Sequence, residues 1–296
     1  MNDAGIAIVT PSFARDYELC RALNESVLRF VPAPVKHYIF VDRCDLQLFA
    51  SLQNSRTIVA AVEEIIPRGY VKVPRSKRWW FSFPACFPAK GWLVQQLVKL
   101  SAARVLEEQT LVCIDSDVRF IRPADTALFA RDGKTRLYRK PGGVVAGMEH
   151  VTWHRNICRM LGVEPDPLPM DDYVGNVISW DRRIALEACA HVEAVTGKPW
   201  HIAFTHARLV SEYMLYGLYV QKVTGIDAAR LWVDERSWCH TYWGPDPLRE
   251  GDVERFVSEM KDDDVAFSIA GYSATEERVA QAALQLAANR PPVGHY

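Results

Sequence analysis

The sequence has no excess of charge of either sign, because 35 lysines and arginines are offset by 36 aspartates and glutamates, for a formal net charge of −1. Proteins that attract nucleic acid or an acidic membrane through their overall field carry a clear basic excess. The balance therefore excludes a general attraction to either partner. We expect no nucleic acid partner, and any charge-driven contact has to be local.

Long apolar runs are also missing. No run approaches the roughly 20 residues needed to cross a bilayer, and the chain enters the strand-like segment 6–9 without the basic and apolar regions of a signal peptide. The seven cysteines are odd in number, scattered and never spaced Cys-x-x-Cys, which favours free thiols in a reducing compartment. These absences predict a cytoplasmic protein.

The first 120 residues contain short apolar runs that alternate with helical patterns. Apolar runs at 5–10, 37–41 and 57–62 are separated by helical patterns at 16–30 and 45–52. This order is typical of βαβ units and a mainly parallel sheet. A long amphipathic segment, 90–106, then precedes a fourth apolar run at 110–114. The sequence thus predicts an α/β fold whose nucleotide-binding half is 1–120.

The pattern after residue 120 is less regular. Strands are expected at 144–146, 174–180, 237–243 and 265–269, helices at 148–161, 182–196, 211–223 and 275–289, and turns or loops at 69–90, 139–143 and 165–169. Repeats and Gly/Ser linkers are absent, and 49% of the residues are hydrophobic, which is enough for a large core. We predict one domain, 1–296, with an acceptor or sugar half at 121–296.

The strongest local signal is an apolar run, 111–114, that ends in Asp115, Ser116 and Asp117. Parallel sheets bind ligands at the carboxyl ends of their strands. Two carboxylates two residues apart provide hard oxygen ligands for Mg²⁺ or Mn²⁺, and such an ion stabilises a departing nucleotide diphosphate. A second Asp-x-Asp, at 262–264, precedes a strand in a charged stretch, where a solvated turn is the simpler interpretation.

The order of these features resembles that of nucleotide-diphospho-sugar transferases of the GT-A fold: a βαβ half that opens with Ile8-Val9-Thr10-Pro11-Ser12, a long helix, and a strand ending in Asp-x-Asp. It resembles most an uncharacterised bacterial glycosyltransferase-like family in which a Gly-Trp-x-x-Gln-Gln-x-x-Lys helix precedes Asp-Ser-Asp. Here those residues are Gly91, Trp92, Gln95, Gln96 and Lys99. The resemblance covers roughly residues 7–242.

The resemblance implies a GT-A-like, Rossmann-related sheet flanked by helices, with a more irregular C-terminal half. It implies a metal-dependent glycosyltransferase that uses Mn²⁺ or Mg²⁺ and moves a sugar from a nucleotide diphosphate, most simply a UDP-sugar, to a glycan or lipid-linked acceptor. The donor contacts that it implies are Thr10, Pro11, Ser12, Asp42, Gln95, Gln96, Lys99, Ser116 and Asn176. Three groups of these residues have a plainer interpretation: a helix-entry turn at 10–12, an ion pair at Asp42, and an exposed helix face at 95–99.

The resemblance also implies metal and catalytic residues. His240 would join Asp115 and Asp117 as a third metal ligand, a set that suits Mn²⁺, although a histidine among aromatics is also typical of a packed core. Glu212 is the first candidate for the catalytic base, and its alternative is a first-turn acid that the helix dipole favours. Asp172, beside Asp171, is the second candidate, and its alternative is a polar loop.

The basic-aromatic segment, residues 72–83, combines cations with aromatic side chains. Its members include Lys72, Arg75, Lys77, Arg78, Trp79, Trp80, Phe81 and Phe83. Such a mixture suits closure over a diphosphate or contact with a membrane surface, and equally a solvated loop with its aromatics packed inward. The expected location is the cytoplasm, with possible peripheral contact at the inner membrane.

Two other functions fit parts of the sequence. Residues 114–118 also match the Asp-x-Asp-x-Val pattern of haloacid dehalogenase-type phosphohydrolases, with Asp115 as nucleophile. That family carries the motif on its first strand, whereas here at least three strands precede it. A non-catalytic module that binds a nucleotide-sugar or a glycan is the alternative from another class.

Overall fold

The computed structural model describes residues 5–73, 79–82 and 87–290. The strands are β1 (Ile6–Pro11), β2 (Lys36–Val41), β3 (Thr57–Ala61), β4 (Tyr70–Lys72), β5 (Trp79–Ser82), β6 (Phe87–Lys90), β7 (Thr110–Cys113), β8 (Val118–Phe120), β9 (Ala130–Arg131), β10 (Lys134–Tyr138), β11 (Lys140–Val144), β12 (Met170–Asp172), β13 (Ile178–Asp181), β14 (Trp232–Asp234), β15 (Cys239–Tyr242) and β16 (Ala266–Ile269). The helices are α1 (Tyr17–Phe30), α2 (Leu46–Phe49), α3 (Val62–Ile65), α4 (Gly91–Val105), α5 (His150–Leu161), α6 (Arg182–Thr196), α7 (Trp200–Ala207), α8 (Glu212–Tyr219), α9 (Ile226–Ala229), α10 (Val253–Ser258) and α11 (Glu277–Asn289).

A five-stranded sheet in the order β13-β7-β1-β2-β3 forms the centre of the fold. Strands β7, β1, β2 and β3 are parallel to one another, and β13 is antiparallel to β7. The predicted α/β fold with a mainly parallel sheet is therefore confirmed. Because β13 comes from the second half of the sequence, that half completes the sheet.

Both faces of this sheet are covered, as the continuous apolar runs require. Ala7 and Val9 pack in a large core cluster with Leu97 of α4. Ile8, whose side chain points to the opposite face, packs in a second cluster with Leu23 of α1. The large cluster runs from Ala7 to Leu231, so the two halves of the sequence share one apolar interior.

Three local predictions are wrong. Residues 69–90, predicted as a loop, include β4, β5 and β6, which pair as a small antiparallel sheet. The predicted turn at 139–143 lies mostly in β11, which pairs with β12 around an irregularity in register. The predicted strand 174–180 begins only at Ile178, because Val177 has a positive φ of 59° that breaks the extended backbone.

Smaller sheets bring second-half residues to the carboxyl edge of the central sheet. β16 lies between β15 and β8, which places the loop after β16 beside the turn between β7 and β8. β12 leads within six residues into the start of β13. Among the described residues, no helix combines the length and apolar character that a membrane crossing needs. The six described cysteines are unpaired, and Cys86 lies outside the described residues.

Candidate active site

The carboxyl ends of β1, β2 and β7 lie at one edge of the central sheet because the three strands are parallel. The residues that follow them are Ser12, Asp42 and the segment 115–117. Ser116 Oγ donates a hydrogen bond to Ser12 Oγ at 3.0 Å, so the turns after β1 and β7 are in direct contact. The sequence predicted both residues at this site, and the structure brings them together.

Lys99 is the centre of a buried polar cluster next to this edge. Its Nζ lies 2.8 Å from Asp115 Oδ1 and 3.0 Å from Glu212 Oε1, and it donates to the Tyr213 hydroxyl at 2.8 Å. All three N–H groups of the ammonium therefore have partners. Burial opposes the charge, but Asp115, Tyr213 and Glu212 together hold the pKa of Lys99 well above its usual value.

Asp115 is the member of this cluster that reaches solvent. Its side chain is 47% exposed, whereas those of Lys99 and Glu212 are each 4% exposed. Oδ2 of Asp115 has no hydrogen-bond partner within the described part of the chain. Lys99 thus fixes one oxygen of the carboxylate and leaves the other available to a ligand.

Asp117 lies on the other side of the turn, where Oδ2 accepts a hydrogen bond from the Gly271 amide at 3.0 Å. Burial, and next the negative charge of Asp115, raise the pKa of Asp117 from 3.8 to about 6. The Gly271 amide and Arg119 offset only part of this. The two carboxylates therefore repel each other, and a cation between them would relieve that repulsion.

The carboxylates of Asp115 and Asp117 suit Mg²⁺ or Mn²⁺, provided that a substrate supplies the remaining ligands of the ion. Mg²⁺ is commonly held by one or two carboxylates and otherwise by substrate phosphates and water. We looked in residues 5–73, 79–82 and 87–290 for three side chains of Asp, Glu, Cys or His whose ligand atoms all lie within 4.8 Å of one another. One such group is present, and it consists of Asp42, Cys44 and Asp45. Within these ranges, Asp115 and Asp117 thus have no third protein ligand of these types.

His240, the expected third ligand, is directed elsewhere. Its Nε2 donates to the Phe256 carbonyl oxygen at 2.8 Å, and its ring stacks on Phe256 at a centroid distance of 4.4 Å. A nitrogen that donates a proton has no lone pair for a metal. The packed-histidine interpretation describes His240 here, and the structure does not bring it to the two carboxylates.

Glu212 and Gln96 lie behind the site rather than in it. Glu212 is the first residue of α8, and its carboxylate is turned to Lys99. Gln96 Oε1 accepts a hydrogen bond from the Glu212 amide at 3.1 Å, and Gln96 is 2% exposed. Neither side chain reaches solvent, so the structure favours a supporting role over the predicted roles as base and donor contact. Gln95 is partly exposed on the same helix.

Thr10 belongs to an internal hydrogen-bond chain. His37 Nε2 lies 2.9 Å from Thr10 Oγ1, and His37 Nδ1 lies 3.0 Å from Asn24 Oδ1. Asn24 Oδ1 also accepts from Thr57 Oγ1 at 2.7 Å. Burial lowers the pKa of His37 to about 3, so the ring is neutral and holds β1, β2 and β3 together. Pro11, which follows Thr10, is buried.

Asp42 is paired with Lys72 of the basic-aromatic segment. Burial raises the pKa of Asp42, and the contact with Lys72 offsets part of that rise. The alternative partner, Arg43, instead lies 3.4 Å from Glu64. Lys72 is thus placed at the carboxyl edge of β2. Residues 75, 77, 78 and 83 of the segment lie outside the described residues.

Asn176 lies in a strained turn at the same edge. Its Nδ2 donates to Thr241 Oγ1 at 3.1 Å, so the side chain links the start of β13 to β15. The next residue, Val177, has the positive φ that β-branched residues rarely adopt. Its carbonyl accepts from the buried Arg136 at 3.0 Å. Such strain persists where surrounding structure enforces it, and it is common at functional sites.

Asp172 forms a pair with His150 that the sequence did not suggest. Asp172 Oδ2 lies 3.0 Å from His150 Nδ1, and Oδ1 accepts from the Val174 amide at 3.0 Å. The neighbouring Asp171 is held by the Gly142 amide at 3.2 Å. Both aspartates are therefore engaged with specific donors, and the interpretation as a merely polar loop does not describe them.

An aromatic group lies beside this pair. The His150 ring stacks on Trp153 at 4.4 Å between centroids, and Trp153 lies 5.5 Å from Trp92. Trp92 is 42% exposed. Trp92 is the second residue of α4 and lies seven residues before Lys99, which corresponds to about 10 Å along a helix. The aromatic group and the Lys99 cluster therefore lie along one helix.

A cleft of about 810 Å³ opens beside Asp117. Its walls come from α1, the turn before β8, the loop after β16 and α11, and include Arg15, Arg21, Arg119 and Gly271. Arg119 donates to the Ser116 and Val118 carbonyls at 2.8 and 2.7 Å. The candidate metal carboxylate therefore borders a space large enough for a small ligand.

Sequence reasoning missed Tyr213, His150 and Gly271. Tyr213 follows Glu212 on α8, and no sequence pattern around these two residues indicates that both contact Lys99. His150 has no motif around it, and its partner lies 22 residues away. Gly271 contributes a backbone amide, which any residue type supplies.

A search of curated proteins returned no match. One protein-family model, described as a family of unknown function (DUF6492), matches residues 4–286. Because the match covers nearly the whole sequence, this chain belongs to the family of unknown function DUF6492.

Proposed function

We propose that this chain is a metal-dependent glycosyltransferase of GT-A-like architecture that uses a nucleotide-diphosphate sugar, most simply a UDP-sugar. The observation that carries the proposal is the carboxylate pair Asp115 and Asp117 at the carboxyl edge of a parallel sheet. This is where such sheets bind ligands. Burial, and next the charge of Asp115, raise the pKa of Asp117, and a bound cation would relieve the repulsion between the two carboxylates.

Each residue of the site has a definable task under this proposal. Asp115 Oδ2 and Asp117 would hold a Mn²⁺ or Mg²⁺ ion, which when bound supplies charge neutralisation for the diphosphate. Lys99 holds Asp115 in one orientation through the 2.8 Å contact. Ser12, Ser116 and Asp42 at the same edge would bind the nucleoside, and Lys72 pairs with Asp42.

The acceptor is the less defined substrate. A glycan or a lipid-linked saccharide fits the proposal, with the basic-aromatic segment as the part of the chain that would contact a membrane surface. The proposed location is the cytoplasm, with peripheral contact at the inner membrane through this segment. The balanced net charge of −1 makes any such contact local.

The direct test is a thermal-shift screen of UDP-, GDP- and ADP-sugars with and without Mn²⁺. We expect one class of nucleotide-sugar to raise the melting temperature only when Mn²⁺ is present, because ligands stabilise the folded state that binds them. Asp117→Asn should lose this cation-dependent shift. Asp262→Asn is the matched control, since Asp262 belongs to the second Asp-x-Asp and lies 3.7 Å from Arg290.

If no nucleotide-sugar gives a Mn²⁺-dependent shift in the wild-type protein, the proposal is wrong. The same samples separate the alternatives. Release of inorganic phosphate from p-nitrophenyl phosphate would favour the phosphohydrolase, which the position of β7 after three strands of the same sheet disfavours. Donor binding without release of nucleotide diphosphate would favour the non-catalytic module.

A further inference from the structure

The His150–Asp172 pair has the geometry of a base and its orienting carboxylate. A carboxylate oxygen accepts, so His150 Nδ1 donates its proton to Asp172 Oδ2 over 3.0 Å. The uncharged form of the ring with its proton on Nδ1 carries its lone pair on Nε2. The same relation between a buried carboxylate and an imidazole fixes the reactive nitrogen in nucleophilic hydrolases.

Asp172 is held rigidly enough for this task. Its side chain is 9% exposed, and its second oxygen is occupied by the Val174 amide. Gly143 packs so closely that a Cβ there would lie 2.8 Å from Asp172 Cβ. Because both oxygens and the Cβ are fixed, Asp172 is better placed to orient His150 than to accept a proton itself.

The reactive nitrogen of His150 is accessible. The ring is 20% exposed, and within the described part of the chain Nε2 has no hydrogen-bond partner. Stacking on Trp153 fixes the plane of the ring. The half-exposed Trp92 next to Trp153 adds a flat apolar surface of the kind that the C–H face of a pyranose contacts.

Two independent connections place this pair at the same edge as Asp115. The segment from Asp172 leads into β13, whose first residue, Ile178, is opposite Cys113 at the end of β7. Trp92, which contacts Trp153, lies in the first turn of the helix that carries Lys99. Trp92 and Lys99 are separated by about 10 Å of rise along this helix, and Lys99 contacts Asp115.

We infer that His150, oriented by Asp172, is the general base that deprotonates the acceptor hydroxyl, and that Trp92 and Trp153 form the wall of the sugar subsite. This inference rests on the proposed function. Nε2 takes the hydroxyl proton as the hydroxyl oxygen forms a bond to the anomeric carbon. The bond from that carbon to the phosphate oxygen breaks, and its electron pair leaves with the nucleotide diphosphate. The imidazolium then loses its proton to water.

The inference is tested with water as the acceptor, so that the natural acceptor is not needed. Release of nucleotide diphosphate from UDP-glucose, UDP-galactose, UDP-N-acetylglucosamine and GDP-mannose is measured with Mn²⁺ for the wild type, His150→Gln and His150→Ala. Removal of a general base typically costs 10²–10⁴-fold in rate. We expect kcat to fall by about 100-fold or more, with KM and donor thermal shift retained and with added imidazole restoring His150→Ala.

His154→Gln is the matched control. His154 lies one turn later on α5 and also contacts a carboxylate, Asp166, at 3.2 Å, but its side chain is 0% exposed. No substrate reaches it, so its replacement should alter the melting temperature and leave turnover per folded molecule unchanged. Melting temperatures of all variants are compared with the assay temperature to show that each variant is folded during the assay.

The outcomes separate the inference from the function on which it rests. Turnover of His150→Ala within threefold of the wild type overturns the inference alone. If His150→Ala loses donor binding as well as turnover, His150 has a structural role and the inference is overturned. The same conclusion follows if imidazole does not restore the turnover of His150→Ala. Absence of Mn²⁺-dependent donor binding or of turnover in the wild type overturns the proposed function as well.

Discussion

At the scale of single residues, Asp117 is a carboxylate whose charge the fold compensates only in part. Burial and the charge of Asp115 raise its pKa from 3.8 to about 6. The folded state therefore binds this proton more tightly than the unfolded state does. Its contribution to stability is most favourable below pH 4 and is lost as the pH rises through about 6.

Asp117→Asn should consequently raise the melting temperature at pH 7.5 without metal. Asparagine removes the charge and keeps an oxygen that can accept from the Gly271 amide. A gain of 1 kcal/mol corresponds to about 2–4 °C in a protein of this size class, and the gain should shrink at pH 5, where Asp117 is protonated. Calorimetry at both pH values checks this, and a variant less stable than the wild type at pH 7.5 would contradict it.

Lys99 should be the most sensitive position of the site for stability. Lys99→Met leaves the buried Glu212 and the partly buried Asp115 without a counter-charge, and breaking a buried pair typically costs about 3–5 kcal/mol. Adding Glu212→Gln should recover part of this loss, because residues in contact couple by about 0.5–3 kcal/mol. Urea denaturation of the two single variants and the double variant measures the coupling.

Lys222→Met is the control for Lys99. Lys222 also contacts a carboxylate, Asp166, at 2.7 Å, but both side chains are more exposed than those of Lys99 and Glu212. Lys222→Met should therefore lower the free energy of unfolding less than Lys99→Met does. Strictly additive effects of Lys99→Met and Glu212→Gln would show that the ion pair does not stabilise the fold.

The sequence identified Lys99, Asp115 and Glu212 of this cluster, but neither Tyr213 nor the contacts among the four residues. The resemblance implied that Lys99 contacts the donor and that Glu212 is the catalytic base. In the structure they face each other across 113 positions. No local pattern reports such a contact, since it depends on how α4 and α8 pack on the same face of the sheet.

At the scale of secondary structure elements, prediction succeeded where the apolar pattern is long. The helix predicted at 182–196 matches α6, and the runs at 37–41 and 110–114 match β2 and β7 within one residue. It failed at 69–90, where prolines and glycine indicated a loop. Pro88 lies in β6, the edge strand of its sheet, and an edge strand tolerates a residue without an N–H.

The β11–β12 pair should control the position of Asp172. Gly143→Ala places a Cβ 2.8 Å from Asp172 Cβ and 3.0 Å from the Lys140 side chain. Overpacking of this kind typically costs about 1–3 kcal/mol, and here it displaces the carboxylate that orients His150. We expect slower turnover with unchanged Mn²⁺-dependent donor binding. Gly251→Ala is the control, because nothing lies within 4 Å of a Cβ there.

At the scale of the whole molecule, the sequence pattern changes near residue 120, but the parts before and after this position do not fold as separate units. The first half supplies four strands of the central sheet, and the second half supplies β13. The core cluster around Leu97 and Leu111 also includes Trp180 and Leu215. From the sequence, the first half resembles a complete nucleotide-binding unit, because the residues that cover its sheet are distant in the chain.

The chain should therefore unfold in one cooperative transition. Urea denaturation followed by tryptophan fluorescence and by far-UV circular dichroism should give coincident curves. A fragment of residues 1–120 should show no cooperative transition, because it would expose the face of β7 and α4 that α6 and α8 cover. Two separated transitions, or a folded fragment, would contradict this. They would also mean that the carboxylates of β7 and the His150–Asp172 pair are held by different units, which would weaken the case for one active site.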